Sequence, residues 1–114
     1  MRLEAGAQRN EEKTEINYEI KDGMKNGKSF NGDRRRAYIP KTQEGTQVLY
    51  LLQEAFRRRH TFVVGYSVTR GLDNLVVWNG IHHKTRTTGG SSNFGYPDTT
   101  YFDRVTDELK QKGI

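Results

Sequence analysis

Two stretches of this 114-residue chain carry apolar side chains at the spacing of one helix face, and two strand-like runs lie between them. Val48, Leu49, Leu51, Leu52, Ala55 and Phe56 recur at the i, i+3, i+4, i+7 positions of a 3.6-residue repeat. Tyr101, Phe102, Val105 and Leu109 form a second such stripe near the C-terminus. Thr61–Tyr66 and Asn74–Trp78 are rich in β-branched and aromatic residues and read as two central strands joined by a turn at Gly71. Ahead of the first helix, Ile16, Tyr18 and Ile20 alternate with Glu15, Asn17 and Glu19, the period of a half-buried strand. Ala37, Tyr38 and Ile39 enter another, which Pro40 ends. Strands and helices do not alternate, which argues against a doubly wound parallel sheet. The order predicts an α+β fold: a single compact domain, mainly antiparallel sheet with two principal helices.

Local signals mark the boundaries. Thr42 is placed to cap the first helix, and Arg57, Arg58 and Arg59 put positive charge in its last turn, with Glu54 four residues before Arg58. Asp98, behind Pro97, is the expected cap of the second helix, and Gly113 its C-terminal stop. Asp22-Gly23 turns the chain, and the stretch from Met24 to Asp33 reads as loop around a short extended piece at Ser29–Phe30. Thr85–Gly95 supplies almost nothing to a core and is a candidate mobile loop. Residues 1–13 have too little apolar surface to offset the entropy of ordering and read as an arm, so the domain is expected over 14–114.

Composition narrows the function. Hydrophobic residues make up 32%, so the core must be small. Nineteen Lys and Arg against fourteen Asp and Glu leave a charge of +5, which favours anionic partners. With no cysteine, a disulfide framework, a cysteine nucleophile and a cysteine-ligated zinc site are excluded. Apolar runs fall far short of the roughly 20 residues that cross a bilayer, so no membrane role is expected. A soluble intracellular domain, cytoplasmic or nuclear, is the expectation.

Chemistry concentrates in Trp78-Asn79-Gly80-Ile81-His82-His83-Lys84-Thr85, at the end of an apolar strand run. Adjacent histidines on extended chain face opposite ways, so at most one enters a given cleft, and no metal is expected. The inward ring is as well suited to holding a loop carbonyl as to chemistry. A neutral ring at either position can donate and accept at once, which suits a ribose hydroxyl or a proton transfer. The turn Ser67-Val68-Thr69-Arg70-Gly71 offers hydroxyls, backbone N–H groups and a guanidinium, a plausible seat for a pyrophosphate. The runs Arg34–Arg36 and Arg57–Arg59 read as solvated faces rather than a phosphate track. Glu108 falls at the border of its helix's apolar stripe, where a carboxylate can look into a cleft or simply meet solvent. Neither a G-x-G-x-x-G or Walker sequence nor a G-x-S-x-G elbow is present.

Taken together, Ala37-Tyr38-Ile39-Pro40, Glu44-Gly45, Val76-Val77-Trp78-Asn79, Ile81-His82-His83-Lys84-Thr85, Gly95-Tyr96-Pro97-Asp98 and Glu108-Leu109 strongly resemble the Deltex C-terminal domain. The likeness covers residues 14–114. Its most specific part is Trp-Asn-x-Ile-His-His-Lys-Thr followed ten residues later by Gly-Tyr-Pro-Asp. The family's turn before Phe30 is replaced by Met24-Lys25-Asn26-Gly27-Lys28.

The resemblance implies a domain that follows a RING domain in ubiquitin ligases and binds ADP-ribose or NAD+ in a cleft. A conjugating enzyme held by that RING, outside this chain, would bring ubiquitin to a ribose hydroxyl of the ligand, free or on an ADP-ribosylated protein or nucleic acid. By position, the ligand would lie against Thr69, Arg70, Gly71, His82, Phe94, Gly95 and Tyr96, with the Tyr96 ring stacking on it. Glu108 matches the acidic member of the family's catalytic pair. Phe94 stands where the family has His or Tyr and can neither accept nor donate a proton, so transfer should suffer more than binding. Val68 replaces a pocket serine of some relatives. The alternative is a non-catalytic module that holds poly(ADP-ribose) or single-stranded nucleic acid on its basic face.

Overall fold

The alternation of Ile16, Tyr18 and Ile20 becomes β1 (Lys13–Ile20), in a computed structural model that describes residues 12–114. The arm expected over residues 1–13 lies outside the described residues as far as residue 11; Lys13 is already the first residue of β1, paired with Pro40. A short hairpin follows, β2 (Gly23–Lys25) and β3 (Lys28–Phe30), before β4 (Asp33–Pro40) returns antiparallel along β1. This hairpin corrects the loop expected from Met24 to Asp33. Its turn is Asn26-Gly27, both at positive φ (52° and 79°), the backbone twist that suits a two-residue connection between strands. Gly32 restores the path into β4: a Cβ there would sit 2.0 Å from the Ile20 carbonyl oxygen.

The β1–β4 ribbon has two different faces. Outward, Glu15, Asn17 and Glu19 lie opposite Tyr38, Arg36 and Arg34, and Glu15 takes a salt bridge from Arg36 at 3.2 Å, a solvated ladder as expected for this basic run. Inward, Tyr18 and Ala37 are buried, and Arg35 is the exception to the solvated reading. Its guanidinium donates to the Val76 carbonyl at 2.8 Å and to Asp33 Oδ2 at 2.9 Å and lies 5.7 Å from the Trp78 ring centroid, so its charge is shared among a carbonyl, a carboxylate and an aromatic face.

Helix α1 (Gln43–Arg57) starts where Thr42 Oγ1 accepts the Gly45 N–H at 3.0 Å. It buries Val48, Leu52 and Ala55, while Leu49 and Leu51 flank that face and Phe56 is partly exposed. Next come β5 (Phe62–Ser67) and β6 (Leu72–Trp78), an antiparallel hairpin. Expected as central strands, they pair with each other alone among the described residues, because the chain leaves β6 as irregular backbone rather than another strand. Asn74, at φ 61°, takes up a bulge opposite Tyr66.

Residues 79–100 contain a single 3-10 turn (Ser91–Asn93). The stretch expected as a mobile loop is cross-linked by its own backbone: Arg86 N–H donates to Phe94 O and Gly95 N–H to Gly90 O. Helix α2 (Tyr101–Gln111) then lays Tyr101, Val105 and Leu109 against α1, the predicted stripe with Phe102 half-buried at its edge. Gly113 closes it at φ 78°, with the N–H of Ile114 on Leu109 O. The core joins Ile39, Val48, Leu52, Ala55, Ile81, Tyr96, Tyr101, Val105 and Leu109. The architecture is the α+β arrangement expected, and no helix among the described residues is long and apolar enough to cross a membrane.

Asp98 does not cap α2 as expected. The helix begins three residues later, and the Asp98 carboxylate is turned inward onto Lys84 Nζ at 2.6 Å, with Arg104 on the same oxygen and Thr100 N–H on the other. The Lys84 and Asp98 side chains are only 6% and 4% exposed. Burial pushes the Asp98 carboxyl up, but the Lys84 hydrogen bond, the Thr100 N–H and the two cations together hold it below its ordinary value. Asp98→Ala would strand a buried ammonium and is expected to cost about 3–5 kcal/mol in urea unfolding. Since the folded-state pKa is the lower one, this contribution is present above about pH 3.9 and is lost as pH falls through the folded value.

Candidate functional site

Trp78 ends β6, and the chain beyond it runs along the free edge of β4, where Tyr38 N–H donates to Lys84 O at 2.8 Å. Ile81 is drawn into the core and Lys84 onto Asp98, so the residues between them are held at fixed angles. The histidines point apart as extended backbone requires.

His83 goes inward. Its ring stacks on Trp78 with centroids 4.4 Å apart, Nδ1–H donates to Ile81 O at 2.8 Å, and Nε2 is 2.7 Å from the Tyr18 hydroxyl. A carbonyl can only accept, so the proton is on Nδ1 and Nε2 accepts from Tyr18. Burial lowers the imidazole to a pKa of about 4, against a smaller opposing pull from the Ile81 carbonyl and the Glu108 charge. His83 is a neutral ring that holds a loop carbonyl.

His82 goes outward, its side chain 67% exposed, yet it is tied at three points. Its N–H donates to Glu108 Oε1 at 2.8 Å, its Nδ1 is paired with Glu108 Oε2, and its carbonyl accepts from the Tyr101 hydroxyl at 2.7 Å. Glu108, on the border of the α2 stripe, turns its carboxylate onto His82 rather than to solvent. With Nδ1–H on the carboxylate, the neutral form of the ring has its Nε2 lone pair as acceptor.

The two rings share a cleft of about 290 Å³ with Trp78, Gly80, Ile81, Thr85 and Phe94. Phe94 is 62% exposed and sits at φ 59°, a left-handed conformation unusual for a bulky residue. Beside it, Gly95 passes so close to Thr88 that a Cβ would lie 1.9 Å from that carbonyl oxygen. A wider apolar groove of about 560 Å³, walled by Phe30, Phe56 and Phe62, is lined by no histidine. Among the described residues no three His, Asp or Glu side chains are grouped to hold a metal ion.

The residues singled out from sequence fall in three places. His82 and Phe94 line the cleft, and Glu108 braces it. Gly95 and Tyr96 stand behind it: the Tyr96 ring is 1% exposed in the core and its hydroxyl donates to Tyr38 O at 2.9 Å. The expectation that Tyr96 stacks on a ligand is therefore corrected, because burying so large a ring is worth more to the core than exposing it. Thr69, Arg70 and Gly71 are at the far end of β6, roughly 20 Å of strand from Trp78. Their polar groups are partly engaged by Ser67, which takes the Gly71 N–H at 2.8 Å. Trp78 and Arg35, the wall and its backing, carry no signal of that role in the residue pattern; only the register of β4 against β1 shows that Arg35 points inward.

A strand-end cleft with one exposed, carboxylate-backed histidine and aromatic walls has the make-up of a small-ligand site on an α+β domain. The chain belongs to the Deltex C-terminal domain family, whose model matches residues 2–114. It is 51% identical over 88 residues to the probable E3 ubiquitin-protein ligase DTX3 of Homo sapiens, covering 77% of this chain and 25% of that protein. To the E3 ubiquitin-protein ligase DTX1 of Xenopus laevis it is 42% identical over 107 residues, 87% of this chain and 17% of the relative. To DTX4 of Mus musculus, also an E3 ubiquitin-protein ligase, it is 43% identical over 90 residues, 77% and 15%. The chain thus spans a quarter or less of these relatives.

The buried neutral His83 predicts a pH effect on stability. Its folded pKa lies below the unfolded value of about 6.5, so the unfolded chain binds the extra proton between them. Unfolding free energy should fall by about 3 kcal/mol as pH drops from 6.5 to 4, before the Asp98 effect begins. His83→Gln should flatten that window in urea titrations at several pH values.

Proposed function

We propose that this domain binds ADP-ribose or NAD+ in the His82 cleft and presents it to ubiquitin, as the ligand-recruiting part of a RING-type ubiquitin ligase. The RING would lie outside this chain and hold the ubiquitin-loaded conjugating enzyme. One observation carries the reading: an exposed imidazole nitrogen, fixed by Glu108, opens onto a cleft walled by Trp78 and Phe94. The nitrogen suits a sugar hydroxyl, and the Phe94 ring suits the flat face of a base or nicotinamide. Family membership and the relatives' names as ubiquitin ligases support the same reading. An elongated ligand lying along β6 would be needed to reach Thr69 and Arg70 as well; a ligand confined to the cleft would leave them free.

Calorimetry with ADP-ribose should give saturable binding that His82→Ala weakens about tenfold, and a flat titration at millimolar ligand would defeat the proposal. Salt separates it from a polyanion-binding surface. Affinity for one bound pyrophosphate should fall little between 50 and 200 mM salt, whereas a surface contacting six to ten phosphates loses about 10³–10⁵ over that range.

A further inference from the structure

We infer that the apolar groove beside β5 is a docking site for an extended, acidic segment of another protein, which adds to β5 as a further strand. The groove holds about 560 Å³, within the range of roughly 300–1,000 Å³ usual for a binding pocket. It shares no lining residue with the His82 cleft. Four consecutive residues, 61–64, line it. Successive side chains of a strand point to opposite faces, so an unbroken run along one groove means that the groove follows the strand's edge.

The phase of the ladder agrees. Asn79 N–H donates to Thr61 O at 3.0 Å, and Phe62 and Trp78, the pair next to that bond, are therefore a non-hydrogen-bonded pair of the antiparallel hairpin. The N–H and C=O of Phe62 point away from β6, as do those of Val64, two residues on and opposite Val76. In keeping with that direction, Lys25 Nζ donates to the Val64 carbonyl at 2.8 Å. No other strand among the described residues pairs with β5, so the Phe62 N–H, the Phe62 carbonyl and the Val64 N–H are left for another chain.

The walls select what docks. Ile20, Phe30, Phe56 and Val76 give apolar surface to side chains at every second position of an added strand. Of the four charged residues in the lining, three are cations, Lys21, Arg57 and Arg59, against Glu19. Arg57 is held by Glu54, but Lys21 and Arg59 enter no ion pair among the described residues. Acidic residues flanking the apolar ones meet these two cations, and a basic segment is repelled.

Selection from a phage-displayed library of random twelve-residue peptides on the immobilised chain tests the site. The expected consensus has bulky apolar residues at every second position with Asp or Glu beside them. Arg59→Glu should weaken the selected peptides tenfold or more, and Lys110→Glu, exposed on α2, less than twofold. N-methylation of alternate peptide amides should abolish binding in one phase of the alternation and spare it in the other. In the free chain the Phe62 and Val64 amides should exchange hydrogen faster than the Val63 and Val77 amides, and should slow at least tenfold with peptide bound. These last two readouts need no variant of the chain. A library without consensus, peptides equally tight on Arg59→Glu, insensitivity to N-methylation, or unchanged exchange at Phe62 and Val64 would overturn the proposal. So would displacement by ADP-ribose, which would put the peptide in the His82 cleft. A dimer in sedimentation at micromolar chain that Arg59→Glu dissolves would also overturn it, giving the groove to a second copy.

Discussion

The Lys84–Asp98 ion pair fastens two segments that have almost no regular structure. Residues 79–85 and 95–100 meet there, and both side chains are nearly withdrawn from water. Such a pair is costly to desolvate, and it persists because the carboxylate also accepts from Thr100 and Arg104. Its effect is positional. Lys84 cannot shift without leaving Asp98 uncompensated, so the backbone that carries His82 and His83 is held against β4 from one side and against α2 from the other.

From this fastening the cleft follows. Ile81 and Tyr96 enter the core on either side of it, and Tyr101, the first residue of α2, reaches back to His82 with its hydroxyl. Three residues of the Gly-Tyr-Pro-Asp segment thereby serve the fold: Gly95 with a close backbone approach, Tyr96 with a buried ring and Asp98 with a buried charge. The cleft is left to residues that the fold does not consume, His82 and Phe94, with Glu108 behind them.

The legible parts of this chain are those whose signal is periodic. Both helices, the first strand and the Thr42 and Gly113 caps follow from spacing and from single side-chain preferences. Asn26-Gly27 was equally readable as a hairpin turn, but three-residue strands present too little alternation to be noticed beside it. Asp98 misleads because the same carboxylate that can cap a helix can neutralise a buried lysine, and local sequence does not show where Lys84 lies. Arg35 is hidden inside a basic run for a similar reason, since only strand pairing separates it from Arg34 and Arg36. Of the site, the exposure of one histidine and the border position of Glu108 could be read in advance; their contact could not.

The sequence by itself determined the fold class, the two helix faces, the family motifs and the non-ionisable side chain at Phe94, all of which are written in residue type and short-range spacing. Tertiary structure decided which histidine is exposed at the cleft, that Glu108 grips it, that Tyr96 belongs to the core, and that the Thr69–Gly71 turn stands a strand's length away. Those outcomes depend on contacts between residues 14 to 65 positions apart. At such separations the competition for burial and for hydrogen-bond partners, rather than local preference, settles the side chain's role.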